Sequence, residues 1–307
     1  MEHSGTAQQS AGMELLATAR PTFLLVTPIC VFLGIAAARY VDHGAGSSLA
    51  LGLILVGAVL AHASVNMLNE YEDFRSGLDA LTQRTPFSGG TGTLLRSPGL
   101  APYTLIGGVL ALVGTAAIGL YFTVNVGLAI LPVGLLGLLV AATYSTHMVH
   151  SPLACLLAPG LGVGVLMVSG TAFALTGHYS GTALLASMLP LFLGSNLLLL
   201  NQFPDVEADR QVGRRNFPII LGRRRSALIY ATLLMATYAT IVAAVLSGYF
   251  PPLTLIGLTT AIVGLPLCIG VYRRADDLDA LLPLMGFNVA ITLVTPLLVG
   301  VALLLGK

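Results

Sequence analysis

Apolar stretches long enough to cross a lipid bilayer recur along almost the whole chain, and they restrict its possible folds more than any other feature. A transmembrane helix needs about 20 mainly apolar residues. Such runs lie near Phe23 to Ala38, Leu49 to Val65, Tyr103 to Phe122, Val126 to Tyr144, Leu153 to Thr176, Ala183 to Leu200, Ala227 to Leu246, Leu253 to Val271 and Leu281 to Leu305. Only 9% of the 307 residues are charged, against roughly a quarter in an average soluble domain. The sequence predicts an all-α membrane protein with about nine transmembrane helices, in which residues 1–307 form a single domain.

The N-terminal segment, the cysteines and the net charge argue against several other classes of protein. Residues 1–17 form a polar tail without the basic region of a cleaved signal sequence, so the first apolar run is interpreted as a retained helix. Cys30, Cys155 and Cys268 lie alone in different apolar runs, which fits neither a disulfide framework nor a metal cluster. The net charge of +1 gives no reason to expect a nucleic-acid partner.

Arginines are concentrated in loops on one side of the predicted bundle. With nine crossings and a cytoplasmic N-terminus, the inside loops receive Arg75, Arg84, Arg96, Arg210, Arg214, Arg215, Arg223, Arg224, Arg225, Arg273 and Arg274. The outside receives only Arg39 and Lys307. Cytoplasmic loops of membrane proteins carry such an excess of basic residues. An eight-helix arrangement would separate the arginines less cleanly between the two sides of the membrane. We therefore expect a multi-pass protein of the cell membrane, embedded in the lipid bilayer.

Two polar segments interrupt the apolar pattern, one after the second run and one after the sixth. The first reads NMLNEYEDFRSGLDALTQRTPFSGG from Asn66 to Gly90, and the second reads NQFPDVEADRQVGRRNFPIILGRRR from Asn201 to Arg225. Together they hold seven of the thirteen acidic residues. Each contains an Asn-x-x-x-Asp unit, and the even number of crossings between them places both on the cytoplasmic side. We interpret this pattern as a weak internal duplication, with two pseudo-repeated helical halves.

The polar side chains of each segment share one helical face, because they recur at helical spacing. They are Asn66, Asn69 and Asp73 in the first segment, and Asn201, Asp205 and Asp209 in the second. Mg²⁺ prefers such oxygen ligands together with water and substrate phosphates. Interleaved arginines would neutralise the rest of a diphosphate by forked hydrogen bonds. The candidates for that contact are Arg75, Arg84, Arg214 and Arg215.

Other interpretations of these segments have to be weighed against a metal and diphosphate site. A single acidic loop is most often solvated surface, but two loops with the same spacing on one side make that interpretation less favourable. Glu72 and Glu207 point away from the shared faces, so we expect them to pair with nearby arginines. A secondary transporter is a rival, although transporters place such polar residues near the midplane of discontinuous helices. A non-catalytic scaffold is a weaker third alternative.

At these residues the chain resembles the UbiA superfamily of intramembrane aromatic prenyltransferases. The resemblance extends from Arg20-Pro21 to the last helix, and it implies nine helices around a central cavity. Residue by residue, it implies metal binding by Asn69, Asp73, Asp79, Asn201, Asp205 and Asp209. Residues 73–79 and 207–215 resemble the branch that prenylates 1,4-dihydroxy-2-naphthoate for menaquinone. Gly77 would let the chain turn so that Asp79 returns to the same site.

The resemblance implies a Mg²⁺-dependent prenyltransferase that transfers a polyprenyl group from a polyprenyl diphosphate to an aromatic acceptor. Dihydroxynaphthoate is the first candidate acceptor, while 4-hydroxybenzoate, homogentisate and a glycerol phosphate lipid stay open. Asp79 and Tyr144 are the candidates for orienting or deprotonating the acceptor. Because the isoprenoid tail is itself a lipid, we expect an active site toward the cytoplasm that also opens sideways to the bilayer.

Four positions depart from the usual pattern of this family. They are Glu70 in place of Asp, Pro204 before Asp205 in place of Arg, Pro159-Gly160 in place of Gly-Glu, and His147 or His150 in place of the basic residue after Tyr144. At Pro204 we expect the helix to bend or restart. His62, inside the second helix, is interpreted as a hydrogen-bonded packing residue rather than a ligand.

Overall fold

The structure is a computed structural model that describes residues 11–42 and 46–306. Within these ranges all regular secondary structure is helical. The nine main helices are α1 Phe23–Val41, α2 Ser48–Arg75, α3 Pro98–Val126, α4 Leu128–Thr143, α5 Pro152–Thr176, α6 Gly181–Gln211, α7 Arg223–Leu246, α8 Pro252–Arg273 and α9 Leu278–Leu305. The all-α fold predicted from the apolar runs is confirmed. Residues 1–10 of the predicted polar tail and Lys307 lie outside the described residues, and residues 11–17 are helical.

Eight of these nine helices are long and apolar enough to cross a membrane, and α4 is shorter. Helix α4 follows Gly127, whose φ of +136° lies outside the helical region. It ends at Thr143, where the chain turns into the loop before α5. The nine helices follow in the predicted order, and the prediction of about nine transmembrane helices is approximately consistent with eight helices long enough to span and a shorter α4.

Helices α2 and α6 continue well beyond their apolar runs, so both polar motifs are helical. Helix α2 ends at Arg75, and α6 ends at Gln211. We expected a bend or a restart at Pro204, and helix α6 continues through this residue without a restart. A proline is tolerated in a membrane helix where neighbouring groups satisfy the backbone around it. Pro204 leaves the Leu200 carbonyl without its helical donor. Next to the proline, the Nε atom of Arg223 donates to the Phe203 carbonyl at 2.8 Å.

Helix α6 occupies the centre of the bundle and packs against α1, α5, α7 and α9, while α2 packs along α3. The contact between α5 and α6 depends on glycines. A Cβ on Gly160 would lie 2.0 Å from the Leu191 carbonyl oxygen, and one on Gly164 would lie 2.5 Å from the Leu191 nitrogen. Gly160 therefore allows the backbones of α5 and α6 to approach closely, which explains its place in the Pro159-Gly160 pair.

Candidate active site

A cavity of about 640 Å³ lies among helices α1 to α6. Its volume falls in the range of small-molecule sites. Most of its wall is apolar, but one end is polar and carries both motifs. The motif residues that line it are Asn66, Asn69, Asp73, Asp79, Asn201, Asp205 and Asp209. The shared helical faces predicted for the two motifs are thus present, and they face one cavity.

Arg214 connects the two motifs across this end of the cavity. One terminal nitrogen donates to Asp73 of α2, and the other donates to Asp209 Oδ1 of α6 at 3.2 Å. Asn69 Nδ2 also donates to Asp73 at 3.2 Å, and Asn216 Nδ2 donates to Asp209 at 2.9 Å. Burial alone would lower the pKa of the Arg214 guanidinium, but these two carboxylates raise it above its ordinary value. Arg214 therefore stays charged and holds the motifs together.

Arg20 and Glu70 form a second buried ion pair at the same end. The Arg20 guanidinium donates two hydrogen bonds to Glu70 Oε2, at 3.0 and 2.8 Å, and also lies 3.7 Å from Asp73 Oδ2. Arg20 has a φ of +52°, an uncommon conformation for a residue with a side chain. The ion pairs hold this strained backbone in place, which is typical of functional sites. Arg20 was not among the predicted diphosphate contacts.

Both carboxylate oxygens of Glu70 are used by the protein, since the loop before α3 binds there too. The Thr91 backbone nitrogen donates to Glu70 Oε1 at 3.0 Å, and the Thr91 hydroxyl donates to the same oxygen. Glu70 is fully buried. Its longer side chain therefore fixes Arg20 and the loop of residues 82–92, and it does not point a free oxygen into the cavity.

Asp79 reaches the polar end by the turn expected at Gly77. Gly77 has a φ of +77° and precedes the short helix Leu78–Leu81. Gly90 packs closely against Asp79, so that a Cβ added to Gly90 would lie 3.0 Å from Asp79 Oδ1. Burial, followed by the nearby carboxylates of Asp73 and Glu70, raises the pKa of Asp79 to about 7. The charges of Arg20 and Arg84 act in the opposite direction but do not offset these two effects.

Three buried oxygens at the polar end have no hydrogen-bond partner among the described residues. They are Asp79 Oδ2, Asn201 Oδ1 and Asp205 Oδ1. Leaving a buried acceptor unpaired is costly, so such atoms call for a ligand. Four carboxylates, of residues 73, 79, 205 and 209, line this end of the cavity together with two guanidiniums, of residues 20 and 214. This oxygen-rich, negatively charged donor set fits Mg²⁺.

No group of three His, Cys, Asp or Glu side chains within the described ranges is already assembled as a metal site. Each motif contributes only part of a coordination shell, and Mg²⁺ commonly completes its shell with water and substrate phosphates. The arrangement thus suits a metal that binds together with a phosphorylated substrate better than a permanent structural ion.

The structure does not bring Arg75 to the cavity. Its guanidinium donates to Glu72 at 3.0 and 2.8 Å and is 64% exposed. Arg75 follows Asp73 by two residues, which is about 200° around a helix, so it lies on the opposite face. Glu207 pairs with Arg210 at 3.2 Å in the same way. The pairing predicted for Glu72 and Glu207 with nearby arginines is confirmed.

The other two predicted arginine contacts differ from each other. Arg215 is exposed and outside the cavity lining, while its backbone nitrogen donates to the Val149 carbonyl at 3.0 Å. Arg84 packs its side chain against Gly92 and does not line the cavity. Its charge nevertheless acts to lower the pKa of Asp79, so it lies close to the site. Among the four predicted arginines, Arg214 alone lines the cavity.

Tyr144 lines the cavity, and burial keeps its phenol neutral. Burial raises the pKa of Tyr144 well above its ordinary value, so the phenol acts as a hydrogen-bond donor rather than as a base. Neither His147 nor His150 lines the cavity. His147 Nδ1 bonds to the Thr146 hydroxyl, and His150 Nδ1 bonds to the Gly213 carbonyl at 3.0 Å. His150 therefore fixes the turn that precedes Arg214.

The fold and the site define a class of helical membrane protein with a cavity among its helices, whose polar end carries carboxylates, amides and guanidiniums. The UbiA prenyltransferase family model matches residues 25–287, and the chain belongs to this family. It is a prenyltransferase and an integral membrane protein. This membership favours the enzyme over the transporter and scaffold alternatives.

Two curated relatives and one solved structure are similar to the chain. The 1,4-dihydroxy-2-naphthoate octaprenyltransferase of Bacillus subtilis (strain 168) is 26% identical over 250 residues, covering 80% of this chain and 78% of that protein. The enzyme of the same name from Haemophilus influenzae (strain ATCC 51907 / DSM 11121 / KW20 / Rd) is 24% identical over 231 residues, with 71% and 72% covered. A UbiA homolog from Archaeoglobus fulgidus, bound to DMAPP and Mg²⁺, has a TM-score of 0.66 at 15% identity over 96% of this chain and 100% of that one.

Proposed function

We propose that this prenyltransferase transfers a polyprenyl group from a polyprenyl diphosphate to 1,4-dihydroxy-2-naphthoate, as a Mg²⁺-dependent step of menaquinone biosynthesis. The observation that carries the proposal is the polar end of the cavity, where Arg214 joins the two acidic motifs beside unpaired buried oxygens. The names of the two curated relatives support the acceptor. The Archaeoglobus homolog, bound to a prenyl diphosphate and Mg²⁺, supports the donor and the metal.

The polar end has the residues that a metal-bound diphosphate requires. The proposed metal ligands are Asn69, Asp73, Asp79, Asn201, Asp205 and Asp209. When bound there, Mg²⁺ supplies positive charge that stabilises the departing diphosphate. Arg214 and Arg20 lie at the same end, and their guanidiniums are suited to hydrogen-bond the remaining phosphate oxygens. The allylic C–O bond breaks, and its electron pair leaves with the diphosphate.

The acceptor ring then attacks the allylic carbon from the apolar side of the cavity, and the attacked ring carbon loses its proton, or its carboxyl group as CO2, so that the ring becomes aromatic again. Asp79 accepts a proton from an acceptor hydroxyl, which increases the electron density of the ring. Without the metal, burial and the neighbouring carboxylates raise the pKa of Asp79 to about 7, which makes it a stronger proton acceptor than an ordinary carboxylate. Tyr144, which stays protonated, orients the acceptor by a hydrogen bond. Both residues line the cavity, so each has access to a bound acceptor.

The apolar part of the cavity would hold the prenyl chain and exclude water, which would otherwise quench the cation. Phe122, Ile130 and Leu166 belong to this part of the wall. Leu120 of α3 and Leu135 of α4 also line the cavity and are 62% and 61% exposed on the surface of the bundle. A long isoprenoid tail would therefore reach the lipid between α3 and α4. We place the polar end at the cytoplasmic face of the cell membrane, in keeping with the distribution of arginines.

The experiment is a competition between acceptors. Purified protein is supplied with Mg²⁺, a long-chain prenyl diphosphate, and equal concentrations of dihydroxynaphthoate, 4-hydroxybenzoate, homogentisate and a glycerol phosphate lipid, and the products are identified by mass spectrometry. We expect the naphthoate product to dominate and to disappear when EDTA removes the metal. A dominant product from another acceptor would overturn the acceptor assignment.

A further inference from the structure

His62 lies in the wall of the cavity, on the same side of α2 as the motif residues. It precedes Asn66 by four residues and Asp73 by eleven, and all three line the cavity. At 1.5 Å per residue, His62 is about 6 Å beyond Asn66 and about 16 Å beyond Asp73 along the helix. It thus lies past the diphosphate end, in the wall of the more apolar part of the cavity.

One side of the His62 ring is fixed by the first helix. The distance from His62 Nδ1 to the Thr27 hydroxyl oxygen is 2.8 Å, and Thr27 is fully buried. Many threonines of this protein donate to a carbonyl of their own helix, as Thr115 does to Ala111, but Thr27 has no such bond among the described residues. The Thr27 hydroxyl proton therefore has Nδ1 as its acceptor. In the neutral ring, the imidazole proton is then on Nε2.

The Nε2–H group of His62 is a donor that the protein leaves unused. It has no hydrogen-bond partner within the described ranges. It also does not belong to the fully buried atoms without a partner, and because His62 lines the cavity, this nitrogen is open to it. Three other donors of the cavity wall are already used by the protein. Asn66 Nδ2 donates to the Ala19 carbonyl at 2.9 Å, and Thr115 and Thr123 donate to carbonyls of α3.

We infer that His62 is a positioning residue for the aromatic acceptor, whose carboxylate or hydroxyl oxygen accepts a hydrogen bond from Nε2–H. A hydrocarbon tail offers no acceptor for this donor, whereas an oxygenated aromatic ring does. Thr27 acts through His62 by holding the ring and its tautomer. The inference rests on the proposed function, because it concerns the acceptor of that reaction. The hydrogen-bonded packing role expected for His62 is present, with Thr27 as its partner, and this contact leaves the other nitrogen available.

The test compares His62→Leu, His62→Gln and Thr27→Val in two assays. Equilibrium binding of 1,4-dihydroxy-2-naphthoate is measured in the absence of prenyl diphosphate, so that no reaction is needed. We expect His62→Leu to weaken this binding and to raise the acceptor KM about tenfold, as for one lost hydrogen bond to a charged group. The KM of the prenyl diphosphate should not change. His62→Gln, which keeps a donor near the Nε2 position, should recover part of the affinity.

A tautomer measurement separates this role from a merely structural one. Nitrogen NMR of the imidazole should show the proton on Nε2 in the wild type and a mixture of tautomers in Thr27→Val, with a smaller rise in the acceptor KM. A changed KM for the prenyl diphosphate with unchanged acceptor binding would overturn the inference and place His62 against the tail. Wild-type transfer with equal acceptor binding in all variants would overturn the inference alone. Absence of transfer to any aromatic acceptor would overturn the proposed function, and the inference with it.

Discussion

Arg214 donates a hydrogen bond to Asp73, although the two residues are 141 positions apart in the sequence. The contact joins the loop after α6 to the end of α2, and both side chains are largely buried. Arg214 makes a second bond to Asp209, so one guanidinium compensates a carboxylate from each motif. The polar end of the cavity is therefore a single charged network, and the residues next to it in sequence should matter much less.

Arg214 and Arg215 provide a direct comparison, because they are adjacent and only the first lines the cavity. We expect Arg214→Ala to reduce prenyl transfer by roughly a hundredfold or more, since an interaction with the developing charge is lost. Arg215→Ala should change the rate less than about threefold, because its side chain is exposed. Initial rates at saturating substrates measure both. Equal losses in the two variants would contradict the assignment of Arg214.

Removing the Arg214 charge also leaves Asp73 and Asp209 without their cation, so folding has to be checked separately. Arg214→Lys retains one positive charge but loses the fork that reaches both carboxylates. We expect its thermal unfolding temperature to lie closer to that of the wild type than the temperature of Arg214→Ala does. Its rate of prenyl transfer should stay low. A wild-type rate in Arg214→Lys would show that the bridging geometry is unimportant.

Glu70 and Glu72 test whether the Arg20 network is structural. Glu70→Gln should lower the free energy of unfolding by about 2–4 kcal/mol, because it leaves a buried guanidinium without its anion. Glu72→Gln is the matched control, and since its partner Arg75 is mostly exposed we expect less than about 0.5 kcal/mol. Thermal unfolding in detergent, followed by circular dichroism, measures the difference. Similar unfolding temperatures for the two variants would contradict the structural role of Glu70.

The raised pKa of Asp79 leads us to expect that Mg²⁺ binding depends on pH. With a pKa of about 7, its carboxyl group is largely protonated below that pH and must lose the proton before it can bind a cation. Apparent Mg²⁺ affinity should therefore fall as the pH is lowered from 8 to 6, by up to about tenfold per pH unit for one displaced proton. Calorimetric titration at several pH values measures this slope. Asp79→Asn should make it shallower, and an unchanged slope would exclude Asp79 as the titrating ligand.

The raised pKa of Asp79 also has a consequence for stability. Because the folded state holds this proton more tightly than the unfolded chain, Asp79 favours folding most at low pH, and its contribution is lost as the pH rises from about 4 through 7. Bound Mg²⁺ should reverse part of this loss by stabilising the ionised form.

The helices and the motif faces could be predicted because they depend on local sequence. Apolar runs defined the nine helices, and helical spacing alone placed Asn66, Asn69 and Asp73 on one face. The same spacing would have excluded Arg75, two residues after Asp73. The pair of Arg20 and Glu70 could not be predicted in this way, because it depends on how α1 packs against α2.

The role of Gly160 likewise became visible only in the packed structure. The sequence showed a departure from the family pattern there, but the reason is the close approach of Leu191 in α6, which lies 31 positions further along the chain. Such contacts between helices determine which small residues are required, and they leave no periodic signal in the sequence. Tertiary packing, rather than local preference, also carries α6 through Pro204.

Gly160 and Gly162 form a matched pair for testing the α5–α6 contact. An added Cβ at Gly160 would lie 2.0 Å from the Leu191 oxygen, whereas Gly162 has no neighbouring atom within 4 Å of that position. Gly160→Ala should therefore destabilise the protein by about 1–3 kcal/mol through overpacking, and Gly162→Ala should be close to neutral. The unfolding temperatures of the two variants in detergent check this. A neutral Gly160→Ala would contradict the close packing described for these helices.

The central claim is that the two acidic motifs together bind one metal-bound prenyl diphosphate, and its most direct test removes one carboxylate from each. Diphosphate release is measured with Mg²⁺, a long-chain prenyl diphosphate and dihydroxynaphthoate, for the wild type, Asp73→Ala/Asp205→Ala and the exposed control Asp276→Ala. We predict rapid release by the wild type and the control, and a loss of roughly a thousandfold or more in the double variant. Wild-type release by a folded double variant would contradict the account.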